Sequence, residues 1–387
     1  MKIPLRYNAR SLLLRPVSTL MTVLSIALVV TISVAILALA DGLDRALVSS
    51  GGPENVLVRR RGSDSELSSS VSREALQAIQ YVPGVKTDAQ GGAVASGEVV
   101  VVVNLPRRNQ EQGANVTVRG LSAAGMALHP QVRLVEGRMF QPGLREVVVS
   151  RSIAERFQRT SLGDRLHLGK GEWEVVGIFD AGQTAFGSEI WADVNQLAGD
   201  FNRQTYSSVL LRAADAASLG SVIERIESDR RFNLMAQREV EYYEEQTRAS
   251  RPLKLLATFI AVVMGIGACF AAMNTMSAAV AYRAREITTL RVLGFRQRSV
   301  LLSFLFESLL LALAGGVIGC LLVWPINGLT TGTVNWQTFS EVAFAFRITP
   351  WLLLKGLAFA AALGLLGGML PAWQASRLTP AGTLREL

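Results

Sequence analysis

Residues 17–40 read VSTLMTVLSIALVVTISVAILALA, 24 consecutive positions without a charged side chain. A helix of about 20 residues, rising 1.5 Å each, crosses the roughly 30 Å hydrocarbon core of a bilayer. A basic stretch precedes this run and Ala38-Leu39-Ala40 closes it in the manner of a signal cleavage site. Signal cores hold only about 7–15 apolar residues, so its length predicts a retained anchor. Three more apolar segments follow: 255–282 has no charge, 299–324 has only Glu307, and 356–376 has none. The expected fold is therefore an α-helical membrane protein with four transmembrane helices, and the long interval between the first two holds a separate domain.

Basic residues near helix ends mark the cytoplasmic side. The N-terminal tail carries Lys2, Arg6, Arg10 and Arg15 with no acid, and the loop after the second helix carries Arg283, Arg285, Arg291, Arg296 and Arg298 against Glu286 alone. Both belong inside, which puts residues 42–250 outside the cytoplasm. That segment has 24 basic and 26 acidic residues, so the net charge of +8 comes from the remaining 15 basic and 5 acidic ones. The positive charge is a topology signal, and no nucleic-acid partner is expected. Cys269 and Cys320 both fall inside apolar helices, so no disulfide framework is implied.

The segment 42–250 reads as a large α+β extracytoplasmic domain inserted between helices one and two. Val-rich runs at 98–104, 115–119, 146–150, 165–168 and 174–179 have strand length. Helical patterns at 72–79, 151–157 and 217–226 interleave with them, the first two behind Ser caps. Residues 41–47 continue the periodicity of helix one, and 238–254 form a charged stretch leading into helix two, in which Pro252 ends or kinks a helix. Together these two segments would form a stalk. The stretches 62–70 and 91–97 read as solvated loops. The acids of this domain read as a wet surface, as does the run Glu239–Glu245, and Arg59-Arg60-Arg61 reads as a strand end or subunit contact. His129 and His167 have no Cys or second His at metal-ligand spacing, so no metal site is expected.

Glu307 lies about eight residues, or roughly 12 Å, into the third apolar segment. Facing lipid there would cost about 2–3 kcal/mol, so it is expected to face protein or water, hydrogen-bonded within the bundle with Asn274 of helix two as a candidate partner. Gly315 with Gly319, and Gly364 with Gly368, place small residues four apart. They serve either a seam between two copies or packing within one chain. Gly294 is expected to end a short helix in a left-handed turn.

The block from Arg283 to Arg296, RAREITTLRVLGFR, followed by Phe304-Leu-Phe-Glu307-Ser-Leu-Leu and the glycines to Gly319, closely resembles the signature of the MacB/FtsX/lipoprotein-releasing permease superfamily. The segment from Pro371 to Arg385 is similar to that family's closing segment. In the outer domain, Glu136-Gly-Arg-Met-Phe140, residues 146–155, Leu162-Gly-Asp164 and residues 175–180 resemble a MacB-like periplasmic core domain.

The resemblance implies the permease subunit of an ABC transporter in the bacterial inner membrane. Such permeases dimerise, bind cytoplasmic ATPases, and convert ATP binding into motion of outer domains. A periplasmic adaptor or substrate protein is a further implied partner. It implies that Arg283, Arg285, Glu286, Arg291 and Gly294 belong to the ATPase-coupling loop; Glu286 adds nothing to a positive-inside signal. The sequence has no G-x-x-x-x-G-K-[ST] phosphate loop. No cofactor is expected on this chain, and ATP and Mg2+ are expected on a partner ATPase. The implied layout is a cytoplasmic amphipathic tail (1–16), helix one (17–41), the periplasmic core domain with stalk (42–250), helix two (253–282), the coupling loop (283–298), helix three (299–325), a short outer loop (326–350), helix four (351–374) and a cytoplasmic tail (375–387). An FtsX-like regulator that activates a cell-wall hydrolase is the alternative. FtsX-type outer domains are usually smaller, which favours transport. A membrane-anchored enzyme has no supporting motif.

Overall fold

The computed structural model describes residues 16–108, 112–248, 251–334 and 340–377. The expected tails therefore lie outside the described residues, apart from Pro16 and 375–377. The chain divides into two compact units. One holds the residues up to Asp41 with Pro252–Leu329 and those from Phe346 onward; the other holds Gly42–Arg251 with Thr330–Ala345. Helix α1 (Pro16–Val48) extends past the apolar run, as its continuing periodicity predicts.

The outer unit is built on one ten-stranded sheet of β1 (Asn55–Arg60), β2 (Ala95–Pro106), β3 (Gly113–Leu121), β4 (Arg133–Gly137), β5 (Glu146–Ser150), β6 (Arg165–Leu168), β7 (Gly171–Asp180), β8 (Glu189–Asp193), β9 (Ser208–Arg212) and β10 (Leu234–Arg238). The strand order is β10-β1-β9-β2-β3-β8-β5-β7-β4, with β6 paired to β7. Pairing is antiparallel except for β3 with β8 and β5 with β7. The helices are α2 (Arg73–Gln80), α3 (Ala123–Leu128), α4 (Arg151–Arg156), α5 (Val194–Asp200), α6 (Leu219–Ser228) and α7 (Glu239–Arg248). Ser72, Ser122 and Ser150 each accept a backbone N–H three residues on, which fixes where α2, α3 and α4 start. Alternating Val and Leu residues feed two apolar clusters. One, around Val58, Leu211 and Val222, lies under α2 and α6. The other, around Val118, Val149 and Trp173, lies under α4 and α5.

Three loop expectations change. In 62–70, Ser63, Ser65, Glu66 and Ser69 are buried, because the Glu66 carboxylate turns inward to a buried arginine. In 91–97 the second half enters β2, and Ala95 and Ser96 are buried. The outer loop 326–350 contains two paired strands, β11 (Thr330–Val334) and β12 (Glu341–Ala345), with β12 buried throughout. Both belong to the outer unit. Arg107 and Arg156 pair with Glu341, and the Ala343 N–H donates to Ser188 Oγ. Gly42 admits this strand: a Cβ there would lie 2.2 Å from the Ala345 carbonyl oxygen.

The other unit comprises the first part of α1 with α8 (Arg251–Tyr282), α9 (Ala284–Val292), α10 (Gln297–Val323) and α11 (Pro350–Arg377). Among the described residues, four helices are long and apolar enough to cross a membrane: Thr19–Val48, Thr258–Tyr282, Gln297–Ile326 and Pro350–Arg377. The expectation that Pro252 ends or kinks a helix falls beside residues 249 and 250, which lie outside the described residues.

The glycine pairs pack within this chain. A Cβ on Gly315 or Gly319 would lie 2.9 Å and 2.7 Å from the carbonyl oxygens of Val23 and Ala27 in α1. One on Gly364 or Gly368 would meet Ala312 Cβ at 2.3 Å and Ser308 Oγ at 2.4 Å in α10. Such approach brings backbones close enough for side chains to bond across helices. Thr31 Oγ1 donates to the Gly319 carbonyl at 3.1 Å, Ser308 Oγ to that of Gly364, and Thr22 bonds Thr275 at 2.8 Å.

Candidate coupling site

Helix α9 is short because its ends are both specified. Arg283 at its N-cap leaves the helical conformation, breaking the line of α8. At the other end Gly294 has φ +93°, a left-handed value that strains any residue with a Cβ. The Gly294 N–H donates to the Arg291 carbonyl at 3.1 Å and that of Phe295 to Leu290 at 3.1 Å, satisfying the last turn. Arg291 Nη1 adds a bond to the Phe295 carbonyl at 3.2 Å.

One face of α9 is fixed. Ile287 is buried in a cluster with Val23, Met276, Val280, Val300, Phe304 and Ala375. Arg283 is also buried: its Nη1 donates to Glu307 Oε2 at 3.0 Å, its Nε to Glu286 Oε2 at 3.3 Å, and its guanidinium lies 5.5 Å from the Phe304 ring centroid. The opposite face is open, presenting Arg285, Glu286 and Thr289, with Val292 and Leu293 at its end. It carries one charge of each sign beside two large apolar side chains, a composition suited to a protein partner.

The five loop residues thus divide. Arg285, Glu286 and Gly294 stand on the open side, Arg283 is an internal anchor, and Arg291 braces the turn. Glu307 is buried, as its depth requires, but Arg283 is its partner. Asn274 is exposed on α8, and among the described residues it makes no hydrogen bond with Glu307, a correction to the expected pairing. The sequence signal was available: Arg283 is the first charge after α8, and a long arginine stem lets the charged head reach along an apolar surface.

The outer unit hides a second polar centre that sequence reasoning missed. Arg119 on β3 donates to Glu66 and Glu189 at 2.9 Å and to Glu98 at 2.7 Å, with all four side chains buried. Trp191 Nε1 also donates to Glu189 at 2.8 Å, and Ser208 Oγ to Glu66 at 2.7 Å. Burial pushes the Glu66 carboxyl up, but the Arg119 charge and hydrogen bonds outweigh it and hold it below its usual range. Arg59 is buried over the Tyr242 ring, and Glu239, Tyr242 and Tyr243 form the inward side of α7. These acids are therefore interior structure, contrary to the expected wet surface, while Arg59 and Arg60 close β1, in keeping with the strand-end reading. Glu241, Glu244 and Glu245 do face solvent. Among the described residues no group of three or more His, Cys, Asp or Glu could hold a metal.

Among the described residues, four apolar helices with a large α+β unit inserted between the first two have the architecture of a multi-pass membrane protein. The profile of the MacB-like periplasmic core domain matches residues 19–229, and that of the FtsX-like permease C-terminal region matches 258–380. The chain belongs to the MacB/FtsX family of ABC transporter permeases. It is 25% identical over 403 residues to a Bacillus subtilis (strain 168) protein named as an uncharacterized ABC transporter permease, YknZ, with 98% of each chain covered. It is 26% identical over 398 residues to the macrolide export ATP-binding/permease protein MacB of Hahella chejuensis, covering 94% of this chain and 57% of MacB. The chain thus spans a little over half of that relative. The crystal structure of the YknZ extracellular domain aligns at 20% identity and a TM-score of 0.36, covering 47% of this chain and 99% of that one.

Proposed function

We propose that the chain is the membrane subunit of an ABC transporter in the bacterial inner membrane, with both termini cytoplasmic. It couples ATP hydrolysis on a separate cytoplasmic ATPase to motion of the outer unit, and so drives export or extraction of an envelope substrate. The observation that carries this reading is the geometry of α9. Its inner face is tied to α10 by Arg283–Glu307 and by Ile287, while Arg285, Glu286, Val292 and Leu293 are left open for a partner. A push on the open face would move α10 through that tie, and α1 and α11 pack on α10 through the glycines. ATP and Mg2+ reside on the partner, since no phosphate-loop motif occurs in this sequence. A second permease subunit completes the assembly. With the glycine pairs used internally, the exposed side of α8 bearing Phe259, Ile266, Phe270 and Asn274 is the face proposed for it, among several exposed apolar helix faces. A periplasmic adaptor or substrate protein would engage the outer unit.

The test is to tag the chain in its host, extract it in mild detergent, and identify co-purifying proteins by mass spectrometry. An ABC ATPase in equal stoichiometry is the expected result. Repeated recovery without an ATPase, under conditions that preserve a known transporter complex, would overturn the reading.

A further inference from the structure

Glu239, the first residue of α7, is buried, and its Oε2 accepts the Gly52 N–H at 2.7 Å and Asn55 Nδ2 at 2.8 Å. The start of α7 is tightly seated, since a Cβ on Gly51 would lie 2.6 Å from the Val240 nitrogen. His129, just after α3, is equally buried. Its ring packs 4.5 Å from Phe186 and 5.5 Å from Trp191, centroid to centroid, and its Nε2 lies 3.6 Å from Glu98 Oε1. That is too long for a hydrogen bond but close for an ion pair. Neither ring nitrogen of His129, nor Glu98 Oε1, has a hydrogen-bond partner among the described residues.

A neutral imidazole here would leave a buried N–H and a buried lone pair unused beside a carboxylate. An imidazolium is instead attracted to the acids around it. Glu98 of β2 lies against the ring, and the charges of Glu239 from α7 and Arg119 from β3 act on it through the field. Glu66 and Glu189 lie behind Arg119, and Arg212 of β9 is held to the neighbouring Leu128 carbonyl. The carboxylates outnumber the cations. We infer that the outer unit contains a pH-sensitive clasp, in which His129 as an imidazolium holds Glu98 of β2 and Glu239 of α7 together and releases α7 when it loses its proton.

The titration runs in the same sense. Burial pushes the His129 imidazolium down, but Glu98 and Glu239 outweigh burial and Arg119, so its pKa is raised. Burial also holds Glu239 above the usual carboxylate range. A raised histidine pKa gives stability that is complete below the unfolded value of about 6.5 and lost as pH rises through the folded value. The raised Glu239 acts in the same direction, its contribution also fading as pH rises. The seating of α7, which immediately precedes α8 in the chain, therefore tightens on acidification and loosens in alkali.

The chain has two histidines, and His167 is exposed. The full chain, labelled with 15N-histidine in nanodiscs, therefore gives two imidazole titrations by NMR. His129 is expected to titrate above the unperturbed imidazole value of about 6.5. Amide hydrogen exchange in 239–248, corrected for its intrinsic pH dependence, is expected to rise several-fold over the interval in which His129 deprotonates. In His129→Gln that step should vanish. A His129 that titrates below the unperturbed value of about 6.5, or exchange in α7 that stays flat while His129 titrates, would overturn the clasp. The wild-type measurements decide this even if the variant does not fold.

Discussion

Replacing Arg283 with Met would strand the Glu307 carboxylate, 4% exposed, inside the four-helix unit. Removing one partner of a buried ion pair costs about 3–5 kcal/mol because the other charge is left without compensation. A charge placed mid-membrane costs a similar 2.5–3.5 kcal/mol or so. Glu286 adds little to this cost, since its side chain is 58% exposed and solvent screens the pair it makes with Arg283. Arg283→Met alone should thus destabilise the unit by about 3 kcal/mol, roughly a hundredfold in its unfolding equilibrium. Arg283→Met with Glu307→Met removes both charges, and such double replacements are often neutral or stabilising. A double-mutant cycle by reversible unfolding in mixed micelles, followed by tryptophan fluorescence, would measure the coupling. If the two single effects simply add in the double variant, Arg283 does not compensate Glu307, and the tie between α9 and α10 is absent.

Arg119→Met should leave three buried carboxylates facing one another and destabilise the outer unit by at least about 3 kcal/mol, read as a drop in Tm of roughly 6–12 °C for a domain of this size. Gly319→Val should force α1 and α10 apart, since even a Cβ would lie 2.7 Å from the Ala27 carbonyl, and lower stability by about 1–3 kcal/mol in the same micellar unfolding assay. Asn274→Leu should leave the monomer intact but weaken self-association in vesicles by about 0.6–2 kcal/mol, measured by energy transfer between labelled copies. Unchanged association would move the seam away from that face of α8.

The four apolar helices were legible because apolar length is a one-dimensional signal. The strands at 146–150 and 165–168 and the Ser-capped starts of α2 and α4 were legible for the same reason: alternation and capping are local. What escaped was pairing over distance. Glu66, Glu98, Glu189 and Arg119 lie up to 123 positions apart in the chain and read singly as surface charges, and only the β9-β2-β3-β8 order brings them together. Asn274 was favoured for Glu307 because it lies in a neighbouring helix, yet helix rotation decides which side chains meet, and the sequence of α8 does not fix its rotation about α10. The hairpin at 330–345 was missed because residues between two membrane helices read as a loop, although TTGTV and EVAFA have strand-forming composition.

The most direct test of the account is ATP hydrolysis by the reconstituted complex of this chain with its ATPase, compared between wild type, Glu286→Arg and Gly294→Val. Glu286 is exposed and Gly294 borders open space, so neither change disturbs the packed core. Val at Gly294 would strain the left-handed turn by about 1–2 kcal/mol and re-aim the open end of α9. The account predicts that both variants insert like wild type but lose stimulation of the ATPase. Normal stimulation in both would contradict the assignment of α9 as the coupling element.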